Sequence, residues 1–148
     1  MCIRDSHMLW LELTECGSDV DPNKIKQAME ELRDEGFMFS MDDFGKGESN
    51  FLRLLDYDFD VLKVDKEFVW SIEEKEKGKA ALNCVIDFAK GQNMMVTAEG
   101  VETQAHVDFL KQAGVTNLQG YLISRPLEPK ACMEFLEKYR NVDILQMP

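Results

Sequence analysis

Along the chain from Leu9 onward, short β-rich runs alternate with amphipathic stretches whose apolar residues recur at helical spacing. LWLELT, Leu9 to Thr14, reads as a strand. Asp21 and Pro22 then supply an N-cap and a first helical position, and Ile25, Ala28, Met29 and Leu32 follow at helical spacing until Gly36. FMFSMDDF, Phe37 to Phe44, predicts a second strand, closed by the loop GKGES. A short helix is expected from Asn50 to Leu55, then a strand from Asp60 to Asp65. The charge run EEKEKGK reads as a solvated linker or helix start. Ala81, Cys84, Val85 and Phe88 mark a further helix stopped by Gly91. Met94 to Gly100 predicts a fourth strand, followed by a helix to Gly114, and Leu118 to Leu122 a fifth. Pro129 opens a last helix with Cys132, Phe135, Leu136 and Tyr139 on one face. Met29, Met38, Met41, Met94, Met95 and Met133 sit on apolar faces and read as core filler.

Strands alternating with helices through short loops define an α/β fold with a parallel sheet. Two architectures satisfy that order, an open doubly wound sheet and a (β/α)8 barrel. No G-x-G-x-x-G follows a strand, which weakens the dinucleotide-binding version.

The polar residues narrow the chemistry. Each strand carries acidic, basic or amide groups at or near its C-terminal end: Glu12 and Glu15, Asp42 and Asp43, Lys63 and Asp65, Glu99 and Glu102, and Gln119. In a parallel barrel those ends share the catalytic face. One such acid is ordinarily just solvated, but a set repeated on successive strands is not what a purely structural sheet requires. Carboxylates and an amide, without cysteine or histidine nearby, form a hard oxygen-donor set suited to Mg²⁺ or Mn²⁺ rather than zinc. Two such cations suit attack of water on a phosphodiester, and a lysine among the acids can hold that water or offset developing charge. His7 lies in the leading segment, and His106 is expected on a solvent-facing helix turn.

Across 148 residues the net charge is −11, with 45% hydrophobic and 30% charged residues. That composition supports one globular domain, and the acidity disfavours duplex nucleic acid. Cys2, Cys16, Cys84 and Cys132 form no C-x-x-C pair and read as reduced, partly buried small hydrophobes. With no signal-peptide pattern and no apolar run of spanning length, a cytoplasmic segment without membrane contact is expected. Met1 to Met8 reads as a non-native leader, residues 9–140 as the domain and 141–148 as a C-terminal tail.

LELTE, MDDFGKGESN, LKVDKEFV, AEGVET and QGYLISRPL, in that order and at βα spacing, resemble the EAL family of cyclic-di-GMP-specific phosphodiesterases. The resemblance runs from about Leu9 to about Tyr139. It implies the C-terminal portion of a (β/α)8 TIM-type barrel with the N-terminal strands missing, and hydrolysis of cyclic-di-GMP to linear pGpG by two Mg²⁺ or Mn²⁺ ions. It further implies Glu12, Asp42, Asp43 and Glu99 as metal ligands, and Glu99 and Lys63 as catalytic groups, base and water contact. Glu15, Asp65, Glu102 and Gln119 become supporting residues. Gln119, Arg125 and Pro126 become substrate contacts.

The sequence departs from the family pattern in three ways. The namesake Glu-Ala-Leu strand and a following asparagine are absent before LELTE, so the chain as it stands is expected to be inactive. The usual GTGYSS loop reads GKGESN, with Lys46, Glu48 and Asn50 in place, which bears on metal occupancy and on coupling across a homodimer. No sensory or diguanylate-cyclase module is expected within these residues. The alternative functions are a degenerate domain that binds cyclic-di-GMP or a protein partner without catalysis, and a barrel enzyme acting on a sugar phosphate.

Overall fold

The computed structural model describes residues 9–13, 21–46, 51–74 and 76–140. Its strands are β1 (Trp10–Leu13), β2 (Met38–Phe44), β3 (Val61–Val64), β4 (Met95–Ala98) and β5 (Asn117–Leu118). Its helices are α1 (Pro22–Asp34), α2 (Phe51–Asp56), α3 (Lys66–Glu74), α4 (Glu76–Gly91), α5 (Gln104–Ala113) and α6 (Pro129–Tyr139). The strands form one sheet in the order β1-β2-β3-β4-β5, and every neighbouring pair is parallel. A doubly wound sheet reverses its strand order at a switch point, whereas this order simply follows the chain. The consecutive order therefore decides for a segment of barrel wall.

Local chemistry accounts for most boundaries. The Asp21 side chain accepts a hydrogen bond from Asn23 N–H at 2.9 Å, with Pro22 at the first helical position, so α1 begins where expected. Thr103 caps α5 through His106 N–H, and Gly114 ends it in the left-handed conformation at φ 75°. In β2, β3 and β4 the core-facing row is continuous: Met41, Leu62 and Val96 are register partners and all are buried. Leu82, Ile86, Val69 and Leu110 pack over the sheet from α4, α3 and α5.

Several expectations are corrected. Helix α3 was not anticipated. It occupies residues assigned to a motif and to the start of the charge run, and its apolar face is Val69 and Ile72. The rest of that run opens α4. The buried stripe of α4 is Leu82, Val85, Ile86 and Ala89; Val85 is inward as expected and Phe88 packs partly buried against the core, whereas Ala81 and Cys84 are exposed and the larger Leu82 and Ile86 face inward beside them. Cys84 is consequently exposed. Cys132 is half-buried as expected, and Cys2 and Cys16 lie outside the described residues. Met133 is 61% exposed rather than core, and Leu136 is also exposed, since α6 buries none of its residues. His106, expected on the surface, is 3% exposed. No helix among the described residues is long and apolar enough to cross a membrane.

Strand β5 stops at Leu118 rather than Leu122. Gly120 lies flat against the backbone of Val101, and the chain then turns, with Ile123 N–H and Ser124 N–H both donating to the Gly120 carbonyl. A Cβ at Gly120 would meet the Val101 backbone nitrogen and oxygen well inside 3.0 Å, and backbone cannot swing away. Gly120→Ala should therefore lower stability by about 1–3 kcal/mol, the usual penalty of overpacking. Gly91→Ala, with nothing within 4 Å of the added carbon, should raise it by about 0.5–1 kcal/mol. Denaturant titration of both variants checks the contrast, and equal effects at the two sites would contradict it.

Candidate active site at the strand C-termini

Register determines which side chains meet. Lys63 pairs with Thr97, and Glu12 pairs with Ser40 two residues before Asp42, so Glu12, Asp42 and Lys63 project from one face of the sheet. Glu99 follows β4 on that same face. The result is a cluster centred on Lys63, whose Nζ donates to Asp42 Oδ1 at 2.8 Å, Glu12 Oε1 at 2.9 Å and Glu99 Oε1 at 3.0 Å. The lysine side chain is 15% exposed, those of Asp42 and Glu99 nearly as enclosed, and that of Glu12, on the edge strand, about half exposed.

Burial alone would lower the Lys63 pKa, but hydrogen bonds to Asp42, Glu12 and Glu99 outweigh it and hold the ammonium above its ordinary 10.5. A group raised on folding contributes stability in full below its unfolded pKa and loses it only as pH climbs through the folded value. Lys63 is thus a fixed cation throughout the neutral range. Three carboxylates and one ammonium leave the quartet with two negative charges.

The other expected residues take different places. Asp43 lies at a register irregularity between Met41 and Phe44, and its φ of 56° is left-handed, a conformation an aspartate tolerates better than most side chains. Consecutive strand residues ordinarily point to opposite faces, and the bulge alters that geometry where two acids stand together. Lys46 reaches back to Asp43 Oδ2 at 3.4 Å, an exposed pair that raises the lysine pKa. Asp65 is buried and caps α3, accepting from Glu67 N–H at 2.8 Å, so it holds that helix and does not join the Lys63 cluster. Glu15, Gly47, Glu48 and Asn50 lie outside the described residues.

Beside the cluster opens a cavity of about 390 Å³ whose wall includes Glu99, Glu102, Gln119, Arg125 and Pro126. Its remaining lining includes Lys66, Trp70 and Tyr121, none of which was singled out from the sequence. The Arg125 guanidinium lies over the Tyr121 ring at 4.8 Å, and the Lys66 ammonium over Trp70 at 5.4 Å. The missed pair Lys66 and Trp70 sits four residues apart on α3, a spacing visible only once that helix is recognised.

The loop carrying Glu99 and Glu102 is tied to α3 at two points. Trp70 Nε1–H donates to the Gly100 carbonyl at 2.8 Å. Glu73 Oε1 accepts from the Thr103 hydroxyl at 2.6 Å and lies 3.2 Å from His106 Nε2. Glu102 N–H donates to His106 Nδ1 at 3.4 Å, so the ring proton on Nε2 faces Glu73.

As a donor set, Glu12, Asp42, Asp43 and Glu99 suit a hard divalent cation, being all-carboxylate and net negative. Among the described residues, however, no three His, Cys, Asp or Glu side chains stand as a ready metal-binding group. The three converging acids are gathered on an ammonium instead.

A barrel wall with acids and a lysine at its strand C-termini, beside a cavity lined by an arginine and aromatic rings, places the site where α/β-barrel enzymes carry theirs. The EAL domain family model matches residues 3–126, and the chain belongs to that family. It is 37% identical over 132 residues to the cyclic di-GMP phosphodiesterase NbdA of Pseudomonas aeruginosa, a match covering 89% of this chain and 17% of that protein. It superposes with a TM-score of 0.81 and 30% identity on the EAL enzyme Bd1971 in its cAMP- and cyclic-di-GMP-bound form, covering 89% of this chain and 35% of that one. A manganese and cyclic-di-GMP complex of Klebsiella pneumoniae BlrP1 gives 0.74 and 30%, covering 82% and 31%. The chain thus spans about a sixth of that curated relative and about a third of those two solved chains.

Replacing His106 by Ala would leave Glu102 N–H without its acceptor and open a void beneath the loop. A stability loss of about 1–3 kcal/mol is expected, the scale of a buried polar group left unpaired. Denaturant unfolding measures it, and a loss near zero would show that the imidazole holds nothing in place.

Proposed function

We propose that the complete protein hydrolyses cyclic-di-GMP to linear pGpG in a reaction dependent on Mg²⁺ or Mn²⁺. The observation that carries this reading is the convergence of Glu12, Asp42 and Glu99, from three separate strands, on Lys63 beside the Arg125 cavity. The cyclic-di-GMP named in the relatives' structures supports the substrate, and the manganese of one of them supports the metal.

In this reading Glu12, Asp42, Asp43 and Glu99 would hold the cations, which when bound activate water and stabilise the leaving oxygen. Glu99 accepts the proton of the attacking water, and Lys63 holds that water by hydrogen bonding. Gln119, Arg125 and Pro126 line the adjoining space for the dinucleotide, with the Arg125 charge toward phosphate or base and the Tyr121 ring beneath it. Asp65 and Glu102 act at one remove, through α3 and the β4–α5 loop. A homodimer is the proposed assembly, and the altered loop would affect it and the metal site together.

A second reading, binding without hydrolysis, draws on Lys46, which sets a cation beside Asp43 in the loop that departs from the family pattern. The two readings part on Glu99. In the complete protein Glu99→Gln should lower kcat for pGpG release by about 10²-fold or more, while cyclic-di-GMP binding in Ca²⁺ persists. A kcat within a few-fold of wild type would remove Glu99 from its role, and an inactive wild type that still binds the dinucleotide would favour the second reading. Asp42→Asn and Asp43→Asn should instead move the midpoint of the Mg²⁺ titration.

A further inference from the structure

We infer that Lys63 is a built-in counter-ion that gathers the three carboxylates in the metal-free protein and competes with the divalent ion for them. This rests on the metal-dependent reading above and adds a thermodynamic antagonism within the same site.

Glu12 and Asp42 stand on two strands and Glu99 directly after a third, and among the described residues the partner they share is Lys63 Nζ, at 2.8 to 3.0 Å from each. An ammonium has three protons, so those three contacts use all of its donor capacity. Asp42 and Glu99 are largely withdrawn from water, and without a cation their proximity would be repulsive. The lysine therefore shapes the donor set in advance. It also occupies the point on which the carboxylates converge. Each acid gives the ammonium one oxygen and keeps the other, so a divalent ion drawn to the same carboxylates comes to lie close to the ammonium, and repulsion between the two cations sets them in competition. Released from one or more acids, Lys63 is then free to bond water or phosphate. The residue that is a counter-ion at rest becomes a catalytic donor when metal enters.

The test is Mn²⁺ binding by calorimetry and thermal unfolding in the complete protein, for wild type, Lys63→Met and Lys63→Arg. Lys63→Met removes the charge and keeps most of the apolar stem. Its metal-free midpoint of unfolding should fall, its gain in midpoint on adding Mn²⁺ should exceed that of wild type, and its dissociation constant for Mn²⁺ should drop by about tenfold. Lys63→Arg keeps the charge and should not bind Mn²⁺ more tightly than wild type. Mn²⁺ affinity in a folded Lys63→Met variant equal to or weaker than wild type would overturn the inference. If Lys63→Met does not fold, amine labelling of the wild type read by mass spectrometry decides. Mn²⁺ should accelerate modification of Lys63 relative to Lys79, and unchanged or slower labelling would count against competition. Failure of the wild type to bind Mn²⁺ at all would sink the metal-dependent reading itself, an outcome distinct from metal binding that ignores Lys63.

Discussion

Carboxylates at the ends of neighbouring parallel strands repel one another, and a sheet that presents them side by side needs a cation among them. Strand spacing of about 4.8 Å brings such groups well within the range at which like charges in a partly enclosed site oppose folding. Lys63, on the central strand of the sheet, meets acids from the strands on both sides and from β1 beyond. Its ammonium is as much a part of the strand register as the backbone ladder is. The cluster sits where the apolar sheet ends, with Leu62 and Val64, either side of Lys63 in sequence, both fully buried. Alternation along β3 thus sends aliphatic side chains into the helix-covered core and one charge to the opposite face.

Helix α3 does most of the positioning around that charge. It begins at the Asp65 cap directly after β3, lays Val69 and Ile72 into the core, and presents Trp70 and Glu73 to the loop after β4. Phe68, on the same helix, stacks near Phe44 at the end of β2, and Phe44 in turn meets Phe51 of α2. Both acid-bearing loops are therefore referenced to one short helix. A change in its tilt would reach Asp43 through aromatic packing and Glu99 through hydrogen bonds.

The strands, the order of the motifs and the acids at their ends were legible because they depend on local pattern and on residue type. Asp21, Pro22, Gly36 and Gly114 mark helix ends by chemistry that acts within a few residues. What was hidden depends on partners distant in sequence. The burial of His106 depends on partners outside its own helix, Glu73, thirty-three positions earlier, and the Glu102 N–H, and neither is legible from α5 alone. On α4 the sequence offers more apolar positions than one face can bury, and only the packed sheet selects Leu82 and Ile86 over Ala81 and Cys84. Helix α3 was masked by its own motif, since LKVDKEFV was read for its acids and lysine rather than for the cap at Asp65. The convergence of three carboxylates on Lys63, rather than on one another, follows from register and could not be read from spacing.

The strand order, running straight from β1 to β5, also has a temporal side. As a ribosome releases the chain, Glu12 and Asp42 emerge before Lys63, and Glu99 only after two more helices. Folding that proceeds from the N-terminus would bring two acids together before their cation is available. Within this stretch, pairing of β3 with β2 is the step that brings the lysine between those acids and relieves their repulsion.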